Sequence, residues 1–113
     1  MSAPYHNLAS VLRNAHAVAS QRPVLPWAHL RDCEQYKWTL LVDAISAEYA
    51  SDPLFSMSGE WLYTTWAKTL LLSVPLYRQA SPKARRCWEF VAKTGRSYMD
   101  RLEAQAREER KSA

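Results

Sequence analysis

Three histidines and two cysteines have the widest chemical repertoire in this chain, and their spacing gives them little to do together. His6, His16 and His29 stand apart, none four residues from another or from a carboxylate in a metal-holding pattern. Neither Cys33 nor Cys87 belongs to a Cys-x-x-Cys pair or a Cys/His cluster of zinc spacing, so both read as reduced, buried thiols. His29 and Cys33 are four apart and could be drawn as base and nucleophile, but no orienting carboxylate or oxyanion donor accompanies them. There is no Gly-x-Ser-x-Gly elbow and no Gly-rich phosphate loop. Catalysis, a resident metal and a cofactor are therefore not expected.

Binding chemistry is better represented. Trp27, Tyr77, Trp61 and Trp66 supply rings that could stack on a planar base, and Arg13, Arg31 and Arg78 supply guanidinium groups for a phosphate. His16 falls on the inner edge of its helix, as a core histidine held by one hydrogen bond or as a pocket residue touching the ligand. Together these residues describe a site for a nucleotide-like small molecule. The competing reading of such rings is plain core, and core is preferred for Trp38 and Trp88, which lie deep in helical stripes. A second constellation surrounds Phe90, an aromatic on an outer face among Lys83, Arg86, Lys93 and Arg101. Arg86, Phe90, Lys93 and Arg101 would anchor a partner protein.

The elements that must position these residues read as four helices. Apolar residues make up 48% of the 113, and only two glycines occur, which argues against a turn-rich β domain. Leu8, Leu12, Ala15 and Ala19 predict a first helix over 8–20, with Arg13, Asn14 and Ala17 opposite; Gln21 to Pro26 end it. A second helix is expected over 31–50 with core stripe Trp38, Leu41, Val42, Ile45 and Tyr49, and a second apolar strip of Tyr36, Leu40, Ala44 and Ala47 suited to self-association. Ser56 or Ser58 would cap a third over 59–73, with Trp61, Leu62, Thr65, Trp66 and Thr69 inward and Val74-Pro75 as its stop. Ser81-Pro82 starts a fourth, over 82–109, whose polar end past Leu102 protrudes or frays.

A fifty-residue echo links these helices: Trp27, Leu30, Trp38, Leu41 and Val42 are matched by Tyr77, Ala80, Trp88, Val91 and Ala92. Val11, Leu12, Ala15 and Ala17 likewise precede Trp61, Leu62, Thr65 and Ala67. The expectation is one all-α domain over 1–113, a four-helix, internally duplicated helical hairpin with units near 8–50 and 58–100 and a long C-terminal helix extended over 103–113.

Charge is uneven along the chain. Residues 1–60 carry four basic and six acidic side chains, a net −2, whereas 61–113 carry eleven and five, a net +6. Such polarity suits an anionic partner. No basic region followed by an apolar run opens the chain, and no stretch approaches the roughly 18 apolar residues of a membrane span. A soluble cytoplasmic protein with no membrane partner is expected.

The pattern Ala9-Ser10-Val11-Leu12-Arg13-Asn14-Ala15-His16, then Pro26-Trp27 with Leu30 and Gln35, Glu60-Trp61-Leu62, and Val74-Pro75-Leu76-Tyr77 before Ser81-Pro82-Lys83-Ala84-Arg85 resembles the ryanodine-receptor repeat domain in its short bacterial and phage versions. The resemblance covers roughly 8–99 and implies an internally duplicated helical domain that binds rather than catalyses, with a nucleotide-like signal as ligand. It has departures. The family's His-Glu pair in the first helix is Arg13-Asn14 here, and its Gly-Trp-x-Tyr-Gly segment and polar loop are absent, since Trp66 to Ser73 run straight into Val74-Pro75. The expected function is a small phage or bacterial binding protein that sequesters or senses a nucleotide-like signal, with countering bacterial immune signalling as one use of it. The alternative is a protein-interaction module that docks on a host protein through its basic C-terminal helix. Nucleic acid ranks below both, because Glu89 and Asp100 interrupt the basic helix and no reading motif occurs.

Overall fold

The computed structural model describes residues 7–112, and among these there are four α-helices and no strand: α1 (Leu8–Ala19), α2 (Asp32–Ser51), α3 (Gly59–Thr69) and α4 (Pro82–Ser112). Three of the four helices, α2, α3 and α4, start at a side-chain cap or a favourable charge. Ser58 Oγ accepts from Trp61 N–H at 3.1 Å, and Ser81 Oγ accepts from Ala84 N–H at 3.1 Å ahead of Pro82. At α2 the cap is Arg31, and Asp32 and Glu34 in the first turn complement the helix dipole instead.

The backbone repeats itself at the fifty-residue interval. Short 3-10 turns at Trp27–His29 and Tyr77–Gln79 precede α2 and α4. α1 and α3 both end in a left-handed residue, Gln21 (φ 59°) and Leu71 (φ 54°). In each case two amides fold back to close the helix: Gln21 and Arg22 donate to Val18 and Ala17, and Leu71 and Leu72 donate to Lys68 and Ala67. This closure ends α3 at Thr69, four residues before Ser73, so Leu70 to Pro75 form a loop and not a last turn of helix.

α1 packs most extensively on α4, and α3 on α4, α1 on α2 and α2 on α3 complete a ring of four helices. Leu8, Leu12, Leu41, Val42, Ile45, Leu62 and Val91 fill it, together with Met57 from the loop between α2 and α3. Gly95 makes room for that methionine, because a Cβ there would lie 2.7 Å from Met57 Sδ and 2.9 Å from Leu12 Cδ2. Arg96 Nη1 donates to the Met57 carbonyl at 2.8 Å and fixes the loop to α4.

The buried faces of α1 and α3 are wider than their stripes suggest. Arg13 and Ala17, expected on the solvent side, are 7% and 0% exposed, and Tyr63 and Ala67 are buried where Thr69 was expected inward and is exposed. The cause is the loop that follows each helix and folds back over it. Arg13 Nη1 donates to the Pro23 carbonyl at 3.1 Å, and Tyr63, its counterpart fifty residues on, donates to the Pro75 carbonyl at 2.5 Å. The second strip of α2 lies outward only in part: Tyr36 is 63% exposed and Ala47 is exposed, whereas Leu40 and Ala44 are half-buried. α4 runs for 31 residues, about 46 Å at 1.5 Å per residue, and accounts for the 48 Å long dimension. No described helix is long and apolar enough to cross a membrane.

Candidate binding site

Rings from all four helices meet between the two halves. Trp38 and Trp88, matched positions of the echo, have centroids 6.2 Å apart; His16 lies 5.6 Å from Trp38 and 5.0 Å from Trp88, and Trp66, the counterpart of His16, lies 5.3 Å from Trp88. His16 and Trp66 stand near the ends of α1 and α3, Trp38 and Trp88 near the starts of α2 and α4. Loops 20–31 and 70–81 therefore leave the bundle at one end.

His16 is kept neutral there. Arg22 Nη2 lies 2.6 Å from its Nδ1, and since a guanidinium only donates, Nδ1 accepts and the ring proton is on Nε2. Burial first, and then the Arg22 charge, push its pKa down to about 4.

The residues expected to hold a planar ligand are divided among several places. His16 and Trp66 belong to the central ring cluster, whereas Trp61 packs against Phe55 at 4.8 Å, and Phe55 in turn against Tyr49. Trp27 is half-buried against the core, and its carbonyl accepts from Gln35 Nε2 at 2.8 Å. The Tyr77 hydroxyl lies 2.8 Å from Glu89 Oε1 and 3.1 Å from the Arg85 carbonyl; partial burial, then that carboxylate, push its pKa up to about 12. Arg13 is buried under its loop, while Arg31 and Arg78 are exposed on the two 3-10 connections.

A groove of about 440 Å³ opens between the end of α1 and the first turns of α4, lined by Val18, Gln21, Lys83, Arg86, Cys87 and Phe90 among others. A hollow of about 230 Å³ adjoins it, sharing Lys83 and Cys87 and reaching His16, Ser81 and Trp88. Of the expected ligand residues, His16 alone lines this region; of the expected partner anchors, Arg86 and Phe90 do. Lys93 is exposed one turn beyond Phe90. Arg101 is about 16 Å along the helix from Phe90, with its guanidinium carbon 5.8 Å from the Tyr98 ring centroid.

Ser81 and Val18 were missing from the expected site residues, and Lys83 was expected only as a neighbour of Phe90. The signal for them was the echo itself, which sets the end of α1 beside the start of α4 once the hairpins are packed. Cys87 is buried, as expected for both cysteines, but Cys33 is exposed because it sits in the first turn of α2, away from the core. Burial pushes the Cys87 thiol up, which disfavours the reactive thiolate. Among the described residues no group of three or more His, Cys, Asp or Glu side chains could hold a metal ion.

No family model, no curated protein and no solved structure matches this chain.

Proposed function

We propose that the protein is a non-catalytic binding module that captures an acidic partner protein in the groove between α1 and α4. One observation carries this reading: Val18 on α1 and Phe90 on α4, 56% and 42% exposed, line the same groove with Lys83 and Arg86. Apolar anchors beside desolvatable cations are the composition of a recognition surface for an acidic, partly apolar segment. Phe90→Asp and Arg86→Glu should each abolish recovery of a partner from lysate, whereas Arg101→Glu, outside the groove, should leave it intact. Equal recovery by all of these variants removes the groove from the function.

The same groove supports a second reading, in which its occupant is a nucleotide-like signal. Its volume of about 440 Å³ falls in the range of small-ligand sites, and Phe90 offers a face for a base while Lys83 and Arg86 offer charge for a phosphate. A ligand at a hundred times its dissociation constant stabilises a protein by about 2.7 kcal/mol. Thermal unfolding across a panel of cyclic and linear nucleotides therefore separates the readings: a shift for one nucleotide that Arg86→Glu cancels favours the signal, and no shift leaves the protein partner. The ryanodine-receptor repeat resemblance is the ground for extending either reading to a cytoplasmic phage or bacterial protein that counters immune signalling.

A further inference from the structure

Leu71 stands in a backbone conformation that favours glycine and exposes 91% of its surface. Both the backbone and the solvent disfavour a leucine there, and its counterpart fifty residues earlier is the polar Gln21. It does not stand alone: in the same loop Leu72, Val74 and Leu76 are 41%, 39% and 59% exposed. The loop is also held in shape, by the Leu71 and Leu72 amides closing α3 and by Tyr63 donating to the Pro75 carbonyl.

The stretch of chain that carries this apolar loop is cationic, and the Glu89 carboxylate beyond its far end is engaged with the Tyr77 hydroxyl at 2.8 Å. No carboxylate occurs between Glu60 and Glu89, and Lys68, Arg78, Lys83, Arg85 and Arg86 all fall in that interval. At the same end of the bundle the corresponding first loop exposes Val24 and Leu25, 51% and 41%, beside Arg22. Asp32 and Glu34 lie in the first turn of α2 at this end, and Glu34 is engaged with Trp38 Nε1 at 3.2 Å.

From these observations we infer that loop 70–76 docks the protein on the surface of an anionic lipid bilayer without crossing it. This goes beyond the groove and rests on Leu71, Leu72, Val74 and Leu76, none of which lines it. An exposed apolar loop flanked in the chain by Lys68 and Arg78 matches a surface whose interface accepts apolar side chains and whose headgroups carry negative charge. A bilayer asks for no shape complementary to a rigid loop. A second copy of the chain is disfavoured, because the same cations would face one another.

The test is co-sedimentation of the full chain with vesicles of phosphatidylcholine alone or mixed equally with phosphatidylglycerol. Binding is expected to the mixed vesicles and not to phosphatidylcholine. Leu71→Gly combined with Leu76→Ser should lower the partition coefficient roughly tenfold. Glycine suits the backbone at 71, so that variant should unfold no earlier than the parent, and Phe90→Ser should bind vesicles like the parent, which keeps this result separate from the fate of the groove. Absence of binding to the mixed vesicles overturns the inference. So does equal binding by the double variant, which would mark adsorption by cations alone. Binding of polyglutamate that depends on Leu71 and Leu76, with none to vesicles, would instead make the loop a protein-docking element.

Discussion

Between pH 6.5 and pH 4 the unfolded chain takes up a proton at His16 that the folded chain refuses, because the ring is enclosed by Trp38 and Trp88 and faces the Arg22 guanidinium. The unfolded state binds more protons in that window, so this stabilisation is complete above about pH 6.5 and is lost as the pH falls toward 4. The loss should reach roughly 2 to 3 kcal/mol, allowing for partial solvent access. Denaturant unfolding at pH 7, 5 and 4 measures it, and His16→Gln should flatten the slope; an unchanged slope would assign the pH dependence to other groups. Gln21 is the other informative residue. Its left-handed backbone is one that glycine adopts freely, so Gln21→Gly should raise stability by about 0.5 to 1 kcal/mol despite glycine's greater freedom in the unfolded chain. A lower midpoint in the same assay would contradict this.

At the scale of elements, the closeness of α3 to α4 is set by Gly59. A Cβ at that position would lie 2.9 Å from the Glu89 backbone nitrogen, which cannot rotate aside, so the helices would have to part. Gly59→Ala should therefore cost about 1 to 3 kcal/mol, outweighing the helix propensity that alanine gains. Thermal unfolding of the variant checks this, and a higher melting temperature would show that the contact yields. Helix starts were legible in the sequence because a cap is a local interaction: Ser58 and Ser81 bond amides three residues on. The end of α3 was not. Leu71 and Leu72 carry no stop signal, and the left-handed closure became visible only where the backbone returned to Lys68 and Ala67.

For the whole molecule the two hairpins share one seam, and Trp88 is its centre, with ring contacts to His16, Trp38, Tyr63 and Trp66. Trp88→Ala should cost about 3 to 5 kcal/mol, enough to unfold a domain of ordinary stability. The milder pair Trp38→Phe and Trp88→Phe should show a coupling of about 0.5 to 1.5 kcal/mol in a double-mutant cycle. Strict additivity would mean that the seam is held elsewhere. The sequence by itself determined the helices, their duplication and the matched core positions, because apolar periodicity and caps act over a few residues and a repeat is written in residue identities. Only the tertiary structure decided which rings remain accessible. Trp66 and His16 were drawn into the seam, Arg13 was drawn under its own loop, and Phe90 was left on a groove that needs α1 for its other wall. Burial of a side chain depends on what packs against it from distant parts of the chain, and that is not encoded in its own neighbours.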